Sequence, residues 1–459
     1  MNLPRLIIAD EMRPGIVPPS LILIYALRRC GVKINVFTCA RSELDMRLLK
    51  LLMGGSIISL DTFSCGSMKN LKTLFQKAAE PDALNIILTY IGTRQEEDSI
   101  QVSQEVTDLA KALSCGIVPI ISAAASTILT TNATIAALSA LESAYEGAVL
   151  GVIFSSVKNP REYQLLEQDY GNRTQILSLG YIPKEIERIL PSMQDLYNNA
   201  AGIMQIKSAA LQLASTSYHI EWQILEAFGQ LKQNWLSPEA FSTSSKNFKA
   251  AIIGGQALSL EGDNCRELFK ILGCRVVDYD PWSEPFPMDV DAIYFPHSAV
   301  NLYGDKLLAH NPFLQGIKQS HAANKLIFVN GASAPLFGQS FITADGKKHD
   351  ALGFFKFRGN YTSQKTSAGA RKIEARAVID SIFSKRDEKI RGYALDYMNI
   401  SNPGNVVPPV WGYREMKKDA ELGTSGWVAG YCFVTDLYVE LWSNIEMINR
   451  WLLFAKNKN

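Results

Sequence analysis

The 459-residue chain lacks an excess of charge of either sign, with 46 Lys and Arg against 45 Asp and Glu and a formal net charge of +1. This balance excludes a global electrostatic field that would attract nucleic acid or an acidic membrane. The chain also lacks an uninterrupted apolar stretch of about 18 residues, so we expect no transmembrane helix. Its N-terminus has no basic region followed by a long apolar run, and we therefore expect no signal peptide.

Paired cysteines are absent as well. The seven cysteines are dispersed and form no CxxC pair: Cys30, Cys39, Cys65, Cys115, Cys265, Cys274 and Cys432. This spacing fits reduced, mostly buried thiols better than disulfides or a zinc site. We therefore expect a cytoplasmic protein without a metal site.

The first half of the chain contains a regular alternation of strand and helix patterns. Helices are predicted at residues 20–30 and 101–113. The predicted strands are Arg5–Asp10, Lys33–Thr38, Leu84–Thr89, Gly116–Ser122 and Val149–Phe154. Such alternation predicts an α/β fold in which a mainly parallel sheet carries helices on both faces.

The remainder of the chain predicts a helical stretch and then a second α/β domain. Helices are predicted at Pro183–Leu190, Met193–Leu213 and Trp222–Leu231. From Phe248 onward, strands are predicted at 250–253, 275–279, 292–295 and 325–329, β-like runs at 354–358, 392–397 and 426–434, and helices at 264–272 and 442–455. The predicted organisation is two mainly parallel α/β domains, residues 1–190 and 247–459, joined by a helical linker at 191–246.

Several short motifs, each occurring once, are distributed along nearly the whole chain. In the first half they are Phe37–Asp45 (FTCARSELD), Ser59–Asp61 followed by Gly66, and Thr107–Leu113 (TDLAKAL). In the second half they are Asp291–Phe295 followed by Asn301–Tyr303, Leu326–Ser340, Asp345–Gly346 through Gly353, and Arg391–Tyr397. In order and spacing these motifs resemble the cobyrinate a,c-diamide synthase family. The resemblance implies a P-loop-like, ATP-dependent amide-forming domain of the dethiobiotin-synthetase type, followed by a class I-like glutamine amidotransferase domain.

The phosphate-binding residues of that family are missing. Family members carry a glycine-rich loop with Gly-Lys-Thr after the first strand, and its N–H groups and lysine bind phosphate. The corresponding loop here, Asp10–Pro19, has no lysine, since the first lysine of the chain is Lys33. It carries three prolines that each lack an N–H donor, and Asp10 and Glu11 would repel a polyphosphate. We therefore expect neither ATP nor Mg²⁺ as a cofactor.

Acidic residues that the resemblance leads us to expect at later strand ends are also missing. Ile87–Gly92 contains no acid, and no aspartate occurs between Asp108 and Asp169. Asp45 is the one acid at a family motif position, and we take it, with Arg41, as a ligand-binding candidate. The alternative for Asp45 is a helix-capping role.

The residues for glutamine hydrolysis are missing too. The resemblance places the nucleophilic cysteine at Gly331 and the glutamate before it at Asn330. It places the glycines of the oxyanion loop at Pro296, His297 and Ser298. The late general base is absent because the chain has no histidine after His349. We therefore predict no catalytic residue and interpret Gly331 as a vacated nucleophile position.

Four residues of the second half are further ligand-binding candidates: His297, Asn301, Tyr303 and Tyr397. His297 is chemically suited to be an axial ligand of a corrinoid or another metallotetrapyrrole. An ordinary loop histidine is the alternative interpretation.

Three functions remain open. Joint loss of the lysine, the acids, the cysteine and the histidine favours a non-catalytic relative that binds a corrinoid or related tetrapyrrole as carrier, chaperone or sensor. One alternative is a structural or regulatory subunit that uses the fold to contact a partner protein. The other is a divergent ATP-dependent cobyrinate a,c-diamide synthase. The resemblance is also compatible with a homodimer, and we expect no binding of nucleic acid or of a membrane.

Overall fold

The chain forms two compact units. The computed structural model describes residues 3–39, 42–92, 94–96, 99–198, 201–215, 220–231, 248–254, 258–282, 285–362, 371–401, 408–416 and 420–456. The first unit comprises Met1–Thr62 and Leu71–Glu239, and the second comprises Phe63–Asn70 and Ala240–Asn459. The short segment Phe63–Asn70 therefore packs with the C-terminal half of the chain.

The first unit is built on a seven-stranded parallel sheet with the strand order β3-β2-β4-β1-β7-β8-β9. Its strands are β1 Arg5–Asp10, β2 Ile34–Thr38, β3 Ile58–Ser59, β4 Leu84–Tyr90, β7 Ile117–Ser122, β8 Gly151–Val157 and β9 Leu177–Pro183. A separate antiparallel pair consists of β5 Arg94–Glu96 and β6 Ser99–Gln101. Every residue of β1 is buried, as a central parallel strand covered on both faces requires.

Helices connect these parallel strands, and three further α-helices follow the last strand, β9, among the described residues of this unit. They are α1 Pro19–Arg29, α2 Glu43–Met53, α3 Met68–Ala78, α4 Gln104–Leu113, α5 Thr127–Ala144, α6 Pro160–Gly171, α7 Met193–Asn198, α8 Ala201–Ser215 and α9 Trp222–Gly229. Residues of α8, predicted to belong to a linker, lie in the core of the first unit: Ile203, Ile206, Ala209, Ala210 and Leu213. The apolar spacing of α8 thus reflects packing against this unit. Residues 232–247, where the linker was predicted to end, lie outside the described ranges.

The second unit contains a six-stranded sheet with the order β11-β10-β12-β13-β23-β22, parallel except at β22. A four-stranded sheet (β15-β14-β16-β19) and a five-stranded antiparallel sheet (β21-β20-β17-β18-β24) accompany it. The strands are β10 Phe248–Ile253, β11 Cys274–Tyr279, β12 Ala292–Phe295, β13 Leu326–Val329, β14 Ser340–Ile342, β15 Lys348–Asp350, β16 Arg358–Tyr361, β17 Arg371–Ala377, β18 Lys389–Ala394, β19 Met398–Ser401, β20 Trp411–Glu415, β21 Ala420–Ser425, β22 Trp427–Ala429, β23 Cys432–Val434 and β24 Tyr438–Val439.

The helices of the second unit are α10 Asn264–Ile271, α11 Val300–Ala309, α12 Asn311–Ala322 and α13 Ile445–Lys456. Short 3₁₀ helices cover Gly331–Phe337 and Leu441–Asn444 in this unit, and Lys184–Ile186 in the first. Among the described residues, no helix combines the length and apolarity needed to cross a bilayer.

The predicted α/β class, with a mainly parallel sheet in each half, is confirmed. The helix predicted at Pro183–Leu190 is wrong, because β9 runs to Pro183 and only Lys184–Ile186 is helical. Residues 188–190 instead pair with the loop after β1, where Val17 N–H donates to Arg188 O at 2.9 Å. This tertiary pairing overrides the local apolar spacing.

Candidate functional site

The turn after β13 keeps the geometry of a nucleophile elbow. Four buried apolar residues form β13 in the parallel sheet, and Gly331 then opens a 3₁₀ helix. Gly331 has φ +57°, a left-handed conformation that favours glycine. A sharp strand-to-helix turn of this kind exposes a nucleophile at the edge of the sheet in hydrolases. Here the turn exposes no side chain.

His297 fills the space above Gly331. A Cβ atom built on Gly331 would lie 2.6 Å from His297 Nδ1 and 3.3 Å from Tyr438 Cα. The imidazole is fully buried and stacks on the Tyr438 ring, with centroids 4.7 Å apart and planes at 16°. No side chain, cysteine included, fits at position 331 unless this stack moves.

The hydrogen bonds of His297 define its tautomer. Ala332 N–H donates to Nδ1 at 3.1 Å, so Nδ1 is an acceptor and carries no proton. In the neutral ring the proton then lies on Nε2, which is 3.2 Å from the Tyr397 hydroxyl oxygen. Ligation of a metal by Nε2 would move the proton to Nδ1, where two donors would face each other. The arrangement therefore disfavours His297 as an axial ligand.

The oxyanion-binding donors are used within the protein. In hydrolases with this turn, the N–H of the residue after the nucleophile stabilises the oxyanion. That donor is here Ala332 N–H, which is engaged by His297 Nδ1. On the neighbouring loop, His297 N–H donates to Glu261 Oε2 at 2.9 Å, and Pro296 has no N–H. Neither donor is directed at a substrate position.

Asn330 joins two strands. Its Oδ1 accepts from Val439 N–H at 2.9 Å, and its Nδ2 donates to Val439 O at 3.0 Å. Nδ2 also donates to the Tyr294 hydroxyl at 2.8 Å. The side-chain amide of Asn330 thus forms the pair of hydrogen bonds that a backbone residue would form in a strand ladder. It connects the end of β13 to β24. A glutamate at this position could accept but could not donate to Val439 O.

Glu261 is a buried carboxylate that the sequence reasoning missed. It is 5% exposed and accepts the Tyr294 hydroxyl at 3.0 Å as well as His297 N–H. Burial and the adjacent Glu261 charge raise the pKa of Tyr294 well above its ordinary value. Tyr294 therefore remains a neutral donor to Glu261 while it accepts from Asn330.

A small cavity lies beside this network. It has a volume of about 10 Å³, roughly the space of one water molecule, and is lined by ten residues of the second unit, among them Glu261, Tyr294, Tyr438 and Glu440. Pockets for drug-sized ligands measure roughly 300–1,000 Å³. The cavity is therefore too small for a tetrapyrrole.

No neighbouring side chain replaces the missing nucleophile. The Ser333 hydroxyl is buried and donates to Pro296 O at 2.6 Å. Burial raises the pKa of the Cys432 thiol far above its ordinary value, so no thiolate forms there. Among the described residues, no group of three or more His, Cys, Asp or Glu side chains could hold a metal ion.

The candidates on α11 have structural partners. Asn301 Oδ1 accepts from Ala344 N–H at 2.8 Å, which ties α11 to the β14–β15 hairpin. Tyr303 is 9% exposed, and its ring lies 5.5 Å from that of Trp282. The structure thus brings together Asn330, Gly331, His297 and Tyr397, and engages Asn301 and Tyr303 in other contacts.

In the first unit, Asp45 caps α2. Ser42 and Asp45 form a reciprocal capping box, and the Tyr90 hydroxyl donates to Asp45 Oδ2 at 2.9 Å. Asp45 is 3% exposed. Arg41 lies outside the described residues. The capping alternative thus describes the contacts of Asp45 better than ligand binding.

Comparisons with known proteins give extended matches to proteins named cobyrinate a,c-diamide synthase. The chain is 21% identical over 321 residues to the cobyrinate a,c-diamide synthase of Streptococcus sanguinis, which covers 68% of each chain. It is 20% identical over 459 residues to the protein of that name from Listeria innocua, and this match covers 96% of each chain. No family model matches. A solved glutamine amidotransferase structure covers 45% of this chain and 98% of its own, at 12% identity and a TM-score of 0.33, too low to carry an argument.

Proposed function

Since the chain is a divergent relative of the cobyrinate a,c-diamide synthases, we propose that it is a non-catalytic member of that family. It binds a corrinoid or a related tetrapyrrole as a carrier, chaperone or sensor. The observation that carries the loss of catalysis is the His297–Tyr438 stack over Gly331. The match along nearly the whole chain supports retention of the ligand class that the relatives' name specifies.

Loss of glutamine hydrolysis has support from four separate contacts in the second unit. The nucleophile position lacks a side chain, Ala332 N–H is bonded to His297, and His297 N–H is bonded to Glu261. The side-chain amide of Asn330 is hydrogen-bonded to both the N–H and the carbonyl oxygen of Val439. Restoring a reactive cysteine would require several of these contacts to change together.

A bound tetrapyrrole would not receive an axial ligand from His297. His297 is fully buried, and each ring nitrogen lies within hydrogen-bonding distance of a partner. A corrinoid should therefore bind without a His297–cobalt bond, outside the small cavity beside Glu261. His297→Ala should leave the visible bands of the bound corrinoid unchanged.

The experiment has a binding arm and a turnover arm. Purified full-length protein is titrated with cobyrinate, cobalamin and a metal-free tetrapyrrole while visible absorbance and the melting temperature are followed. We expect a saturable increase in melting temperature with at least one corrinoid. No response to any of them would overturn the ligand proposal and favour the alternative of a protein-binding subunit.

In the turnover arm, the protein is mixed with ATP, Mg²⁺, glutamine and cobyrinate, and ADP and glutamate are measured. We expect no release above a protein-free background, with the Listeria innocua relative as the positive control. Turnover that rises with protein concentration would show a divergent synthase instead.

A further inference from the structure

A buried carboxylate lies at the N-terminus of α1 in the first unit. Asp10, the last residue of β1, is fully buried. Its Oδ1 accepts from Ser20 N–H at 3.0 Å, and its Oδ2 accepts from the Ser20 hydroxyl. Ser20 is the second residue of α1 and is also fully buried. An anionic group of the chain itself thus occupies the end of the helix that carries positive partial charge.

Ser20 supplies the first N–H of this helix. Pro18 and Pro19 have no N–H, and Leu21 N–H donates to Pro18 O at 2.9 Å. Phosphate binding at a helix N-terminus requires N–H groups directed at the ligand. The donor at the start of α1 is already directed at Asp10.

Carboxylates also engage donors at the neighbouring strand ends. Glu11 Oε2 accepts from Ser122 N–H, at the end of β7, at 2.8 Å. Glu187 accepts from Arg13 and from the Ser156 hydroxyl of β8. Ser156 has φ +62°, which is uncommon for a residue other than glycine. In open α/β sheets, ligands bind at these carboxyl ends of the strands.

We propose that Asp10 is a built-in anion that occupies the position of a phosphate group at the start of α1. Glu11 accepts a hydrogen bond from the adjacent N–H of Ser122. The N–H groups of Ser20 and Ser122 are therefore engaged by carboxylates of the chain without a nucleotide. A phosphate entering this position would have to displace a buried carboxylate and approach a second one. The inference concerns the first unit alone and does not depend on which ligand the protein carries.

Chemical rescue tests the proposal in the full-length protein. Asp10→Ala removes the carboxylate, and formate is the smallest carboxylate that could replace it. The melting temperature of Asp10→Ala should fall by several degrees. Formate should restore at least half of that loss, whereas chloride at equal ionic strength should not. The wild-type melting temperature should not respond to formate, phosphate or pyrophosphate.

Asp10→Asn is the matched control, since its amide oxygen still accepts from Ser20 N–H and its volume leaves no space for formate. Its melting temperature should not respond to formate. If Asp10→Ala does not fold, Asp10→Ser carries the same comparison. A variant with a shortened side chain that is indifferent to formate would overturn the proposal, as would stabilisation of the wild type by pyrophosphate.

Discussion

At position 331, packing and backbone geometry both require the absence of a side chain. The φ angle of +57° places the residue in the left-handed region, and His297 Nδ1 lies 2.6 Å from the position of a Cβ atom. The absence of a side chain at position 331 is thus coupled to the position of a second residue 34 positions earlier in the chain. A single substitution at position 331 therefore cannot introduce a side chain unless His297 also moves.

Gly331→Ala should lower the free energy of unfolding by about 2–5 kcal/mol, since a left-handed non-glycine residue costs about 1–2 kcal/mol and overpacking about 1–3 kcal/mol. Urea denaturation measures the loss. Gly346→Ala is the matched control, because Gly346 has φ +86° and no atom within 4 Å of its Cβ position. The loss at Gly331 should shrink when His297 is replaced by glycine, and strictly additive losses would contradict the packing argument.

Asp436 should make stability depend on pH. Burial raises its pKa from the ordinary 3.8 to about 6, although the Ser425 hydroxyl donates a hydrogen bond to it. Because the folded-state pKa is the higher one, the folded state favours the protonated acid. The contribution of Asp436 to stability is therefore greatest below about pH 4 and is lost as the pH rises through about 6.

Asp436→Asn should stabilise the protein at pH 7 by about 1–2 kcal/mol and by less at pH 5. The stabilisation is smaller than the full pKa shift would give, because the Asp436 side chain is partly exposed to solvent. Urea denaturation at both pH values measures the difference. Asp350→Asn, at an exposed aspartate on β15, is the charge-matched control. An equal effect of Asp436→Asn at pH 5 and pH 7 would contradict the prediction.

At the scale of elements, Asn330 attaches β24 to the end of β13. Its amide satisfies both backbone polar groups of Val439, and β24 also pairs with β18. The side chain of Tyr438, held by this pairing, is the surface on which His297 stacks. Asn330 thus has a structural role in holding β24 against β13.

Asn330→Ala should lower the free energy of unfolding by about 2–4 kcal/mol, since it leaves buried groups of Val439 and Tyr294 without this partner. Asn330→Asp should cost more at pH 7 than at pH 5, because it introduces a carboxylate beside buried Glu261. Equilibrium unfolding at the two pH values checks both statements. Asn301→Ala, which removes one half-buried hydrogen bond, should cost only about 1 kcal/mol.

The elements were predictable where the apolar pattern decides the structure. The β12 prediction, Ala292–Phe295, agrees at both ends, and β1 agrees over Arg5–Asp10. Long-range pairing decides the rest. Residues 188–190 pair with the loop after β1, and Glu261 meets Asn330 across 69 positions. The local spacing of residues in the sequence does not predict such contacts. The family resemblance, in contrast, located Gly331, Asn330, His297 and Tyr397.

At the scale of the whole molecule, the two units are not two consecutive stretches of chain. Phe63–Asn70 belongs to the second unit, although the residues on both sides of it belong to the first. Asn70 Nδ2 donates to Trp442 O at 2.9 Å and to Cys65 O at 2.8 Å. The Ser64 hydroxyl donates to Glu440 Oε1 at 3.0 Å. The motif Ser59–Asp61 followed by Gly66 therefore spans the change of unit.

Asn70→Ala should destabilise the second unit by about 1–2 kcal/mol, through the loss of two hydrogen bonds to backbone carbonyls. Tryptophan fluorescence reports mainly on this unit, which contains five of the seven tryptophans: Trp282, Trp411, Trp427, Trp442 and Trp451. Its urea midpoint should fall, while Lys77→Ala, at an exposed position later in α3, should leave it unchanged. An unchanged midpoint for Asn70→Ala would contradict the prediction.

The placement of Phe63–Asn70 also sets an order of events during synthesis. Ser64 and its partner Glu440 are separated by 376 positions, so the partner leaves the ribosome only near the end of translation. Phe63, whose ring lies 5.4 Å from that of Tyr393, has the same delay. Until then the growing chain carries a segment whose final neighbours do not yet exist, a state prone to aggregation. Slow translation of the C-terminal half should therefore lower the yield of folded protein more than slow translation of the first 60 residues.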